Sequence, residues 1–257
     1  MIERNSGAII IAGHSHTAAL IGTCDDHDAG IRLLPVAGYD RIFGLHGPLT
    51  HGYPTRTEEY WSALARYGEG NAIALLFAGN EPNWAFLFQE EFPAVDFIPR
   101  QLQSLPIEEG AVIVPEALVR AEIQRLVGSS LGDVLGYLKA RANSRIAIVG
   151  APPPKGDNER LRSFIEPEYA HVKIISALVR LKFWHVLQDV YRQQAAIHDV
   201  EFIPPPDAMM DERGFLKREL WADDLTHANR IYGKAMINHL RQKLLPGGSG
   251  DVVSASV

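Results

Sequence analysis

Ala8-Ile-Ile-Ile-Ala-Gly13-His14-Ser15-His16-Thr17 joins a run of apolar residues directly to a polar junction. An unbroken apolar run this short, closed by glycine, predicts a strand buried on both faces, the pattern of a parallel sheet. The strand ends at Gly13, and a helix is expected to begin just after Ser15. A serine at that junction has its side-chain oxygen at the sheet edge and its own N–H at a helix N-terminus. Both features suit attack on a carbonyl and stabilisation of the resulting oxyanion. Serine in the same position also caps helices without doing chemistry, so the segment alone leaves both roles open.

Four further β-rich runs repeat the pattern, at 39–45, 72–78, 145–150 and 200–203. With residues 8–12 they make five short strands, each ending in Gly, Pro or polar residues. Helices are expected at 58–67, 115–142 and 173–198. In the last of these, Ile174, Leu178, Leu181, Trp184 and Leu187 recur at helical spacing, with Arg180, Lys182, Gln188 and Arg192 interspersed. A final helix over 228–243 carries Ile231, Ala235, Ile237 and Leu240. This alternation predicts an α/β protein: a three-layer α/β/α sandwich around a five-stranded, mainly parallel sheet. Residues 1–245 are expected to form one domain, and the Gly- and Ser-rich tail 246–257 to be disordered. Two proline turns, Pro152 to Pro154 and Pro204 to Pro206, follow the fourth and fifth strands. Ligands of open α/β sheets bind at the carboxyl ends of strands, so both turns are expected near the site.

Composition narrows the function. The 257 residues are 46% hydrophobic and 22% charged, enough to bury a sizeable core. The net charge of -6, with both signs mixed along the chain, builds no basic face for nucleic acid. No run approaches the roughly 18 apolar residues of a membrane span, so neither nucleic acid nor membrane is an expected partner. The first residues do not read as a secretory signal, and Cys24 is the only cysteine, which excludes an internal disulfide. A cytoplasmic protein is the resulting expectation.

Two more polar groupings stand out. Trp221-Ala-Asp-Asp224-Leu-Thr-His227-Ala-Asn precedes the last helix. An aspartate three residues before a histidine on a turn can reach the imidazole Nδ1 and fix its tautomer. Nε2 is then left to take a proton from a hydroxyl. Leu75-Leu-Phe-Ala78-Gly79-Asn80-Glu81-Pro82-Asn83 places an amide donor just after a buried strand. Each also has an ordinary structural explanation, as a helix cap and as a Gly-Asn turn.

Taken together, Ser15, Asn80 and Asp224-x-x-His227 occur in an order that resembles the SGNH (GDSL-like) hydrolase superfamily, which shares a flavodoxin-like sandwich. The resemblance runs from Gly13 to the Tyr232 region, and the terminal Asp-x-x-His before a helix is its most specific part. It implies Ser15 as nucleophile, His227 as base and Asp224 as the group that orients the base. It also implies an oxyanion hole from the Ser15 N–H, a glycine N–H and the Asn80 side chain. Phe43-Gly44-Leu-His-Gly47-Pro-Leu-Thr50 resembles the glycine-bearing block of the family, which makes Gly47 the candidate donor and Gly52 its backup. The chain departs from the family where Gly-Asp-Ser-Leu is Gly13-His14-Ser15-His16 and where Gly-x-Asn-Asp is Ala78-Gly79-Asn80-Glu81. His14, His16, Gly52, Glu81, Asn83 and Trp84 are the candidate substrate-binding residues.

The expected reaction is cleavage of a carboxylic ester through an acyl-enzyme, without metal or organic cofactor. A short acyl group, such as acetyl on a carbohydrate, is what the resemblance suggests as substrate. The same triad would serve an O-acyltransferase, and the same fold a non-catalytic carbohydrate-binding or scaffold protein. His14, His16, His46, His51, Asp224 and His227 also offer a competing zinc-site reading.

Overall fold

An unbroken run of apolar residues explains how an interior strand can face two layers at once. The computed structural model describes residues 7–13, 15–20, 23, 30–35, 58–77, 87–89, 94–102, 104–165, 167 and 171–245. Strand β1 (Ile9–Gly13) is completely buried. Its Ile10 and Ala12 enter one core with helix α1 (Glu58–Gly68), while Ile9 and Ile11 enter a second core on the opposite face. This is the two-residue period of a strand sandwiched between layers.

Beside β1 lie β2 (Ile31–Pro35) and β3 (Ala72–Leu76), both parallel to it. The chain then forms two short strands, β4 (Phe88–Gln89) and β5 (Val95–Asp96), and a third, β6 (Val112–Ile113), parallel to β5. Helices α2 (Glu116–Ile123) and α3 (Ser129–Arg141) follow, then β7 (Arg145–Val149), α4 (Asn158–Arg162) and β8 (Lys173–Ile174). The long α5 (Ala177–Ile197), β9 (Glu201–Ile203) and α6 (Arg230–Leu244) complete the described elements. The main sheet has the order β2-β1-β3-β7-β9, and every neighbouring pair is parallel. Residues of α1, α2, α3 and α5 cover one face, and residues of α6 such as Tyr232, Met236 and Leu240 cover the other. The expected three-layer sandwich and five-stranded sheet are therefore observed.

Two expectations need correction, and one strand of the main sheet is unanticipated. The strand next to β1 is Ile31–Pro35, while residues 39–45, expected to form a strand, lie outside the described residues. Arg32 is exposed and Pro35 ends the strand, which suits an edge position but hides the strand among polar sequence. The expected helix 115–142 is broken by a π turn at Gln124–Gly128, where Val127, Gly128, Ser129 and Ser130 are weak helix formers. The expected helix 173–198 begins only at Ala177, because Ser176 accepts a hydrogen bond from the Val179 N–H and caps it. Lys173 and Ile174 instead pair antiparallel with Gln89 and Phe88. The tail 246–257 lies outside the described residues.

A topological switch falls between β1 and β3, since the chain leaves β1 in one direction to form β2 and returns on its other side. The carboxyl ends of those two strands are where an open parallel sheet binds ligands. Gly13 closes β1 there because a Cβ would lie 2.3 Å from the Leu76 carbonyl oxygen, and no larger residue fits against β3. The exit of β3 is fixed from the other layer, where the Tyr191 hydroxyl donates to the Phe77 carbonyl at 3.0 Å.

Candidate active site

The Asp–His turn is built by its flanks. Trp221 and Ala228 pair as an antiparallel bridge, and the Ala222 N–H donates to the His227 carbonyl at 3.1 Å. Asn229 caps α6, accepting from the Ile231 N–H at 2.9 Å, while its amide donates back to the Glu219 and Trp221 carbonyls. One asparagine thus ties both ends of the turn to the start of a helix.

Within the turn, Asp224 Oδ1 accepts from the backbone N–H groups of Thr226 (2.9 Å) and His227 (2.7 Å). Asp224 Oδ2 takes the His227 ring at Nδ1, 2.8 Å away. Burial by itself would raise the Asp224 pKa. The hydrogen bonds and charge of His227, with the charge of Lys155, outweigh it and hold the carboxyl well below the usual carboxylate range. An ionised carboxylate only accepts, so Nδ1 carries the proton it shares with Asp224, and in the neutral imidazole Nε2 is the acceptor. Nε2 is buried and has no hydrogen-bond partner among the described residues.

Lys155 stands behind the turn, with its side chain only 1% exposed. Its ammonium donates to the Ala222 carbonyl (2.8 Å) and the Asp224 carbonyl (2.6 Å) and reaches Asp224 Oδ1 at 3.3 Å. Burial pushes its pKa down, and the opposing pull of Asp224 only partly restores it. Lys155 directly follows the proline turn after β7, so it links the sheet edge to the Asp–His turn. In the sequence Lys155 only opens the charged stretch 155–171, which reads as a lid or a solvated loop; its place next to Pro152, Pro153 and Pro154 is the signal that points to the site.

Ser15 opens a short 3-10 helix, Ser15–Ala19, beyond the end of β1. His16, the next residue, is buried and places its ring 5.1 Å from the His227 ring, tilted by 57°. The same helix is held against α6 at Gly233, where a Cβ would lie 1.8 Å from the Ala19 carbonyl oxygen. The structure therefore brings the helix of Ser15 and the turn of Asp224 and His227 into one neighbourhood. His14, Gly47, Gly52, Asn80, Glu81, Asn83 and Trp84 lie outside the described residues, as do His46 and His51.

A pocket opens beside the pair, lined by His16, Lys155, Leu225 and Thr226. Pro152, Pro153 and Pro154 also line it, as expected of the first proline turn. The second turn is not in the lining; its Pro205 packs behind, against Gly150. Arg180, Phe183, Trp184 and Leu187 from α5 close the far side. Arg180, which in the sequence reads only as an interspersed polar position on its helix, lines the same pocket.

No protein-family model matches the chain, and no curated protein matches it with significance. Solved structures do. The periplasmic domain of a lipopolysaccharide acetyltransferase from Salmonella ser. Paratyphi A aligns over 94% of this chain and 85% of its own, with a TM-score of 0.50 and 14% identity. A carbohydrate acetylesterase from Sinorhizobium meliloti aligns over 92% and 97%, with a TM-score of 0.46 and 11% identity. A GDSL-like lipase from Bacteroides thetaiotaomicron aligns over 93% and 89%, with a TM-score of 0.47 and 9% identity. The chain shares its α/β architecture with the acetyltransferase periplasmic domain. At these identities the likeness is one of architecture.

Proposed function

We propose that the protein cleaves carboxylic esters by the nucleophilic route, with Ser15 as nucleophile, His227 as base and Asp224 as the residue orienting the base. The observation that carries this reading is the Asp224–His227 hydrogen bond at 2.8 Å beside the helix that Ser15 opens. In the proposed cycle Ser15 Oγ attacks the carbonyl carbon while His227 Nε2 takes the hydroxyl proton. The Ser15 and Gly47 N–H groups and the Asn80 amide receive the oxyanion. The carbon–oxygen bond to the leaving alcohol breaks as His227 returns the proton to it. Water then attacks the acyl-serine with His227 again as base, releasing the acid and free Ser15. No metal or organic cofactor enters these steps.

A short acyl group, acetyl on a carbohydrate in the first instance, is the proposed substrate, in keeping with what the S. meliloti and Salmonella proteins are named for. The test is hydrolysis of an aryl acetate and covalent labelling by a fluorophosphonate, each on wild type and on Ser15→Ala. The variant is expected to lose labelling and to lose turnover by a factor on the order of 10⁶. A folded Ser15→Ala protein that still turns over or still labels overturns the assignment.

A further inference from the structure

Three cationic side chains are buried among the described residues: Lys155, Arg180 and Lys182. Lys155 has Asp224 as its counter-ion, and Lys182 has Asp96. Arg180 pairs with no carboxylate among the described residues, although it is only 6% exposed. Its Nε–H donates to the Ile175 carbonyl, and one terminal nitrogen donates to the Asn158 Oδ1. A guanidinium carries five N–H donors, so most of them meet no acceptor among the described residues. Taking a charge out of water is costly unless a partner compensates, which makes a buried cation without a counter-ion an unfinished site.

Arg180 also lines the pocket beside the Asp–His turn, in a wall otherwise formed by Leu87, Phe183, Trp184 and Leu187. Lys155 lines the same pocket, but its donors are spent on the Ala222 and Asp224 carbonyls. The guanidinium is therefore the cation with donors left over in this pocket, set into an apolar wall where a charge-assisted bond is screened least. We propose that Arg180 binds an oxyanion of the substrate, a carboxylate or a phosphate carried apart from the ester itself. Burial pushes the guanidinium pKa down to about 10, which still leaves it cationic at neutral pH.

The inference deepens the esterase reading and rests on it only for the turnover arm. Its test compares para-acetoxybenzoate with its methyl ester, which differ in the anionic group while sharing the acetyl ester. Wild type is expected to favour the carboxylate by about 10- to 100-fold in kcat/KM, the range of a buried hydrogen bond to a charged group. In Arg180→Gln that ratio is expected to collapse to about unity, and Arg180→Lys to recover only part of it. A para-acetoxyphenyl phosphate arm separates the two oxyanions, since the larger ratio identifies the one that fits. Calorimetric binding of para-hydroxybenzoate and its methyl ester gives a readout that needs no turnover. Arg180-dependent binding of the carboxylate without hydrolysis supports the inference while defeating the esterase reading. Equal turnover of carboxylate, phosphate and methyl ester by wild type, with equal binding of para-hydroxybenzoate and its methyl ester, overturns the inference even if Arg180→Gln fails to fold.

Discussion

Two lysine–aspartate pairs in this molecule use the same side chains for opposite ends. Lys182 on α5 and Asp96 on β5 are both 0% exposed. The ammonium sits 2.8 Å from each carboxylate oxygen and 2.8 Å from the Pro106 carbonyl. The remaining acceptor capacity of Asp96 takes the Phe97 and Glu108 N–H groups. Every polar atom is spent inward, and the pair clamps the 94–114 segment onto the helical layer. Lys155 and Asp224 are arranged asymmetrically. The lysine is sealed, but the aspartate side chain is 42% exposed and gives its second oxygen to His227. The difference is where the strongest bond of the carboxylate points: into the protein at Asp96, and toward a titratable ring beside the pocket at Asp224.

If that contrast is right, substitution at the two aspartates should fail in different currencies. The largest effect is expected on turnover in Asp224→Asn. The amide would disturb the tautomer that leaves Nε2 unprotonated, and in the Ser-His-Asp template this costs on the order of 10⁴ in kcat. Stability should fall less than at Asp96, because the buried Lys155 keeps its two backbone carbonyl acceptors and the half-exposed Asp224 side chain lets water replace part of the lost charge. Steady-state hydrolysis of an aryl acetate together with urea unfolding reads both quantities. A large loss of stability with turnover intact would break the comparison, since it would make Asp224 another structural clamp.

Asp96→Ala should do the reverse. Removing the carboxylate leaves Lys182 buried and uncompensated, a loss of about 3–5 kcal/mol. Turnover per folded molecule should stay at the wild-type value, because nothing in this pair borders the pocket. The double variant Asp96→Leu, Lys182→Met sharpens the point. With both charges gone the desolvation cost goes too, and most of the lost stability is expected to return in urea unfolding. A double variant as unstable as Asp96→Ala alone would show that the aspartate acts through its two backbone N–H bonds and not through the lysine.

The same contrast explains how much could be read without the structure. Apolar strands such as Ile9–Gly13 and Ala72–Leu76 announce themselves, because burial on both faces forces an unbroken apolar run. Ile31–Pro35 does not, because an edge strand tolerates the arginine and proline that argue against a strand elsewhere. Asp224 and His227 were legible because their partnership is local, three residues apart on one turn. Lys155, Arg180 and Lys182 were not. A buried cation has the same letter as a solvated one, and its partners lie 86 residues away for Lys182 and 69 for Lys155. Only the packing of distant segments tells which charges have left water.

Lys155 is the member of its pair that most resembles the other pair, being as buried as Lys182, and the smallest predicted effect tests it. Lys155→Met keeps the apolar stem and removes the ammonium, leaving the Ala222 and Asp224 carbonyls without their donor. A carbonyl stranded in the interior costs about 1–3 kcal/mol, less than an uncompensated charge. The loss should sit at the low end, because the Asp224 side of the turn faces water that can replace the missing donor. Turnover should fall by about tenfold through kcat as the Asp–His turn loses its backing, with KM nearly unchanged. Lys155→Arg should restore part of the rate, because a donor returns to the same carbonyls. A stability loss as large as that of Asp96→Ala, with kcat unaffected, would place Lys155 with Lys182 as a core clamp. A loss of kcat that outruns the loss of stability instead makes the lysine a positioning residue, which holds the turn so that the aspartate can hold the ring.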